Sequence, residues 1–524
     1  MNASRTVNLA RRSQTYLLLT GVVVGMFVAG IAVPLVFGES VTSGGGDSRA
    51  AATLDDANLG AGSSGDSLSG ATNTTLAGSA TGTAGGTTGG AAVGGSTGTA
   101  TGGAPAGGAA EPAGNAAGAT DRGVSEKTIK VGATVLDVAT VGRMGVGVAV
   151  DPIQQEAAFK AFFEEINSRG GIHGRKLEYY IRAFDVTDRS AMIAVCRELT
   201  REKQVFAVLG GFNLPDPNNC ITEENKTILV TISNNNPDWM YQRAQGRLFT
   251  LYPRSGRMMQ AVVAEMERTK LADKKIGILS DRLNDPDSFV AKQLEQLLKD
   301  RGHDVVYRGE LADDIPTASS QTPVEVNRMR TAGGTGAEVV VFLQSNSIYG
   351  TQFVNTANSQ NYYPTYVNSD WASNNGDTVN ANMPNNYENQ AIAFSFSRGL
   401  SSKRPPPAPP HHKRCVDAYN KFSGRKPLEE EPRTTFGLTL QYCDTVQLFE
   451  KLATNAGSNL TRVTFSDARI KVGFFEPVNN SSGTLGPDRF DVPELIRTMR
   501  WRVQDNGEQC KCWVGVDDFH RPGG

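Results

Sequence analysis

Cys196, Cys220, Cys415, Cys443, Cys510 and Cys512 are the residues of this chain with the most covalent chemistry open to them, and their number is even. In an exported domain such a set reads first as disulfides. A zinc site is the weaker reading, because four-ligand sites usually show two close pairs and this chain has one, Cys510-Lys511-Cys512. The five histidines, His173, His303, His411, His412 and His520, form no ligand spacing. The sequence also has no Gly-rich phosphate loop, no Gly-x-Ser-x-Gly elbow and no His-Glu-x-x-His, and Gly333-Gly334 reads as a helix stop. These absences lead us to expect no enzyme, no catalytic residue, no metal and no cofactor. What remains is a set of amide- and carboxylate-bearing loops, Ser233-Asn234-Asn235-Asn236-Pro237-Asp238-Trp239 and Asn368-Ser369-Asp370-Trp371, whose side chains can donate to and accept from a polar ligand.

Those loops need a scaffold, and composition shows where it lies. Of the 4 Trp, 13 Tyr and 22 Phe, three precede residue 38 and the next is Phe159, so the intervening stretch has nothing large enough to anchor a core. Net charge is −2, without the basic excess of a nucleic-acid binder, so no nucleic-acid partner is expected. Near the N-terminus, Arg5, Arg11 and Arg12 precede an uncharged run from Ser13 to Gly38 rich in Leu, Val and Phe, long enough to span a bilayer. Residues 1–15 then form a short cytoplasmic tail and 16–38 a transmembrane anchor or signal segment, with the positive-inside rule placing all that follows outside the cytoplasm. The expected location is the cell membrane, single-pass. Residues 39–120, mostly Gly, Ala, Ser and Thr, read as a disordered linker with a root-mean-square reach of about 50 Å.

From Ser125 onward short β-branched runs alternate with helical stretches, the pattern of an α/β fold with parallel sheets. Strands are expected at 128–133, 177–184, 205–210 and 227–232, with helices at 153–169 and 190–202. The pattern then starts again, with strands at 276–280, 304–308 and 339–343 and helices at 288–299, 324–331 and 349–359. Two successive sets of βα units suggest two similar lobes.

The strand Ile129-Lys130-Val131-Gly132 and the helix ending Glu165-Ile166-Asn167-Ser168-Arg169-Gly170-Gly171-Ile172-His173-Gly174 resemble the opening of the type I periplasmic binding proteins of the branched-chain amino acid transporter family. The Asn-x-x-Gly-Gly-Ile-x-Gly turn carries much of this likeness, since its glycines must end a helix and reverse the chain within a few residues. Phe206 to Gly211, Ile276 to Asp281, Glu338 to Leu343 and the late helix Gln441 to Leu448 continue it. The likeness is weakest over Ser401 to Pro432, where Pro405 to Pro410 and His411-His412 read as a surface polyproline linker. The resemblance implies two Rossmann-like lobes joined by a hinge, lobe one from 121–252 and 398–495, lobe two from 253–397 and 496–518. It implies an extracytoplasmic solute-binding protein that captures a small polar solute, an amino acid or related compound among the candidates, in the interlobe cleft for an ABC permease. The alternative on the same fold is a ligand-sensing receptor ectodomain.

The resemblance also points to ligand positions. Asn234 and Asn236 occupy the loop that binds the ligand carboxylate in family members, Asn213 falls near the family's serine after the third strand, and Asn346 falls where a tyrosine usually contacts the ligand. Asp370 aligns with the strand end that places an acid against the ligand ammonium, although Asn and Asp also favour caps and turns in any protein. Trp371, like Trp239, is read either as cleft wall or as core. Among the cysteines, Cys196–Cys220 has a spacing similar to a bridge in some family members and Cys415–Cys443 is the natural second pair. Cys510 and Cys512 are left either to close a local ring or to stay reduced.

Overall fold

The computed structural model describes residues 118–137, 151–186, 188–283, 285–344, 347–371, 382–398, 407–430 and 433–524. The expected anchor at 16–38, nearly all of the expected linker and Asn346 lie outside the described residues. Among the described residues no helix is long and apolar enough to cross a membrane.

Two sheets carry the fold. The first is parallel throughout, in the order β2-β1-β3-β4-β5, built from β1 (Thr128–Asp137), β2 (Lys176–Asp185), β3 (Ala207–Gly210), β4 (Ile228–Thr231) and β5 (Leu248–Thr250). In the second the order is β14-β13-β10-β9-β8-β6-β7. Its parallel part comprises β6 (Ile276–Asp281), β7 (Val305–Leu311), β8 (Val339–Phe342), β9 (Thr365–Ser369) and β10 (Ala391–Ser395). Two antiparallel strands, β13 (Arg497–Asp505) and β14 (Glu508–Gly515), complete it beside β10. A small ribbon pairs β11 (Phe474–Phe475) with β12 (Gly483–Thr484).

Both faces of each sheet are covered, which is why the central strands read as continuous apolar runs. In β8 the period of two divides neighbours between layers: Val339 and Val341 join Met258, Val262, Leu294 and Phe394 on one face, while Val340 and Phe342 join Phe353, Tyr366 and Trp501 on the other. The first sheet is covered on one face by Phe159, Phe163, Tyr442 and Phe449, and on the other by Met192, Leu199, Phe212 and Met240.

The helix read as starting at Val324 instead runs Ile315–Thr331, straight through Pro323. Pro323 lies on the exposed side of that helix, so the carbonyl that loses its donor can turn to water. The helix ends as expected at Gly333 and Gly334, both at positive φ. The sequence reading also missed β5, only three residues long, while 496–518, assigned to lobe two, forms the β13–β14 hairpin, whose Asn506-Gly507 turn has both residues at positive φ.

All three disulfides are closed: Cys196–Cys220, Cys415–Cys443 and Cys510–Cys512. The second ties the helix His412–Phe422, which follows the Pro-rich stretch, to the long helix Arg433–Ala456.

Candidate functional site

At the carboxyl ends of β1, β3 and β4, where open α/β sheets leave backbone donors and acceptors unclaimed, lies a cavity of about 220 Å³. Each wall is fixed by a buried polar clamp. Gln155 accepts from the Leu136 amide at 3.0 Å and donates back to its carbonyl at 2.9 Å, while the Tyr442 hydroxyl donates to the Gln155 side-chain oxygen. Asn218 does the same for the loop after β3, accepting from the Phe212 N–H and donating to its carbonyl, both at 2.8 Å. Between these clamps Gly210 and Gly211 turn the chain at φ +96° and +78°, bringing the backbone against Thr134 and Thr231.

The loop after β4 forms the third wall. The Ser233 N–H donates to Thr231 Oγ1 at 2.8 Å, Asn235 Nδ2 to the Asn213 carbonyl at 3.1 Å, and the Asn236 amide to the Ser233 carbonyl. Asn234 points the other way, its Nδ2 donating to the backbone carbonyl of Asp370 in lobe two at 2.6 Å. The helix Arg433–Ala456 supplies the remaining wall through Leu438, Gln441 and Tyr442, with Gln441 Nε2 donating to the Tyr252 hydroxyl at 3.2 Å.

Of the residues singled out in the sequence, Asn213 and Asn234 line this cavity. Asn236 is fully buried and does not line it, and its Oδ1 has no hydrogen-bond partner among the described residues. Asp370 is 2 % exposed, and its carboxylate accepts from Ser395 Oγ at 2.7 Å and from the Phe396 N–H at 2.5 Å. Trp371 is buried in the core of lobe two among Val341, Val367 and Phe394, so of its two readings the structure realises core. Asp285 caps the helix Phe289–Asp300 through the N–H groups of Val290 and Ala291. Among the described residues no cluster of three or more His, Cys, Asp and Glu has metal-holding geometry.

Sequence reasoning did not single out Thr134, Tyr252, Gln441 and Tyr442. For the last two a signal was present: Gln441, Asp444 and Thr445 interrupt an otherwise apolar helix face within the stretch that carried the resemblance. No charged side chain is found among the described residues lining the cavity, whose aromatic surface comes from Phe184, Phe212, Tyr252 and Tyr442.

Chain crossings between the lobes are knitted by bridges from Thr250 to Asp491 and from Ser397 to Asn480. Asp444, from the long helix, receives the Val478 and Asn479 N–H groups at 2.6 and 2.9 Å, and burial pushes its carboxyl up to about 7 against the pull of those donors and of Arg398. Tyr252 lies among Asp370, Ser397, Asn480 and Asp444, and burial raises its hydroxyl far above the usual range.

This architecture recurs among solved structures. A periplasmic binding protein type 1 from Bordetella pertussis Tohama I is similar with TM-score 0.56 and 15 % identity, over 74 % of this chain and 100 % of that one. The branched-chain amino acid transporter substrate binding protein LivJ from Streptococcus pneumoniae, in complex with isoleucine, gives TM-score 0.52 and 17 % identity over 74 % of this chain and 99 % of that one. A solute binding protein of an ABC transporter from R. palustris, in complex with 4-hydroxybenzoate, gives 0.54 and 12 % over 76 % and 98 %. At these identities the likeness establishes the fold. A comparison with curated proteins finds no match. A family model described as periplasmic binding protein matches residues 152–500, more than half of the chain and including β2 to β12, and the chain accordingly belongs to the periplasmic binding protein family.

Proposed function

We propose that this protein is an extracytoplasmic solute-binding protein, held at the membrane by the apolar run at 16–38 and carried on the linker at 39–120, that captures a small solute for an ABC-type permease. The observation that carries this reading is the cavity at the strand carboxyl ends, whose rim residue Asn234 also bonds to lobe two. A solute seated there meets lobe one directly and is covered when lobe two closes. The S. pneumoniae and R. palustris structures hold isoleucine and 4-hydroxybenzoate, respectively, both small carboxylates with apolar surface. The walls here combine aromatic surface from Phe184, Phe212 and Tyr442 with amides from Asn213, Asn234 and Gln441. Our assignment makes Asn213 and Asn234 direct contacts and gives Asn236, Asp370 and Trp371 the work of holding the neighbouring loops, while Asn346 keeps the ligand role that the resemblance alone implies.

The test is a thermal scan of the protein against amino acids, aromatic acids and neutral polar solutes. A solute at 100 times its Kd stabilises the native state by about 2.7 kcal/mol, a shift of several degrees. A hit that is lost in Asn213→Ala and weakened in Asn234→Ala supports the reading. Failure of every class to move the melting point at millimolar concentration would sink it.

A further inference from the structure

The hairpin β13–β14 carries a feature unrelated to solute capture. Its register runs Arg502 opposite Cys512 and then Gln504 opposite Gln509. One residue of β13 therefore faces two of β14, and the extra residue falls at Cys510-Lys511: this is a β-bulge. In a regular strand residues i and i+2 lie about 6.6 Å apart on one face. Cys510 and Cys512 have their Cα atoms at 5.1 Å, a shortening that goes with the bulge, and Lys511 between them sits at φ +44°. A non-glycine residue in that region is disfavoured by the clash between its Cβ and the following carbonyl. The closed bridge and the unfavourable backbone thus occur in the same three residues.

Access is also unlike that of the other two bridges. Cys196, Cys220 and Cys415 are 0 % exposed and Cys443 is 3 % exposed, each bridge lying between packed helical segments of lobe one. β14 is the edge strand of the second sheet, with Glu508 and Gln509 exposed and Cys510 only partly buried. The ring spans two residues of separation against 24 and 28 for the others, so closing it restrains little of the unfolded chain.

We propose that Cys510–Cys512 is a reversible thiol–disulfide exchange site for dithiols, while Cys196–Cys220 and Cys415–Cys443 are structural bridges. A thiolate of the incoming dithiol bonds to Cys510 Sγ, and the Cys510–Cys512 bond breaks with its electron pair leaving on Cys512. The second thiol, on losing its proton, then attacks the dithiol's own sulfur in the mixed disulfide and releases Cys510 as thiolate. Two electrons pass to the protein, and the dithiol departs as its cyclic disulfide. Opening frees Lys511 from its left-handed conformation, whereas the hairpin stays anchored by Trp501 and Trp513, paired across the strands and wholly buried.

The experiment equilibrates the full chain in mixtures of reduced and oxidised dithiothreitol, quenches with an alkylating reagent and maps the labelled cysteines by peptide mass spectrometry. Cys510 and Cys512 are expected to reach half-labelling at a reduced-to-oxidised ratio at least tenfold below that needed for the other four, with tryptophan emission unchanged. Lys511→Gly, which adopts positive φ without the clash, should move that midpoint about five- to thirtyfold toward more reducing mixtures. Simultaneous opening of all three bridges, earlier labelling at Cys196 or Cys415, or an unshifted midpoint in Lys511→Gly would overturn the proposal.

Discussion

Asn234 Nδ2 donates to the backbone carbonyl of Asp370 at 2.6 Å across 136 residues of sequence, joining the rim of the lobe-one cavity to the end of β9 in lobe two. One side chain thereby touches both the proposed solute site and the opposing lobe. Solute affinity and lobe closure should respond together to its removal. A typical hydrogen bond of this kind contributes about 0.5–1.5 kcal/mol net. Asn234→Ala should therefore weaken the best solute about two- to tenfold by calorimetry and raise the radius of gyration of the solute-bound protein. Unchanged affinity would remove Asn234 from both roles.

Asp370 tests what its carboxylate is for. Bound to Ser395 Oγ and the Phe396 N–H, it is expected to hold the exit of β10 toward the hinge. In Asp370→Asn the amide nitrogen cannot accept, leaving one buried donor unsatisfied at a cost of about 1–3 kcal/mol. The solute-free melting point should fall. If it stays put while binding of zwitterions alone is lost, Asp370 acts as the ligand's counter-charge instead.

Gly211 sits at φ +78°, and a Cβ there would lie 2.5 Å from Thr231 Oγ1 and 3.0 Å from Asn218 Oδ1. Gly211→Ala combines backbone strain with collision against the two groups that fix the cavity floor. It should destabilise the protein by more than about 1 kcal/mol and reduce solute binding at least tenfold. Denaturant titration beside calorimetry would expose a neutral result.

Asp444 predicts a pH dependence. Its carboxyl is raised to about 7 in the folded protein against 3.8 ordinarily, so between those values the folded state holds a proton that the unfolded state has lost. Unfolding stability must then decrease with rising pH across that window: the contribution is full below about pH 4 and lost as pH passes 7. The melting point of Asp444→Asn, followed from pH 5 to 8, should lack this decline whatever its absolute value. Parallel pH profiles for parent and variant would contradict the assignment.

The fold class was legible in the sequence because its signals are local. A strand such as Val339–Phe342 is buried on both faces and so is apolar at every position, and the Gly170-Gly171 turn needs residues without a Cβ penalty wherever it occurs. The short edge elements were not legible, since the three residues of β5 carry too little periodicity to register, and a proline on the solvent side of a helix looks the same in sequence as one that ends it.

The site divides along the same line. The sequence marked the amide-rich loop after β4 because polar residues follow an apolar strand there, and the loop after β9 only through the family resemblance. Which of those amides faces a cavity was decided only in three dimensions. Asn213 and Asn234 reach it because Asn218, Gln155 and Thr231 clamp the neighbouring backbone, and each clamp joins residues whose positions relative to one another depend on packing between elements. Asp370 is held where it is because Ser395, at the end of the neighbouring strand β10, and Phe396 just after it offer donors there, and Gln441 meets Tyr252 only because a helix beginning at residue 433 returns to pack on a sheet that ended at residue 250. Periodicity encodes which face of an element is buried; the partner that covers that face is a long-range choice, made by packing.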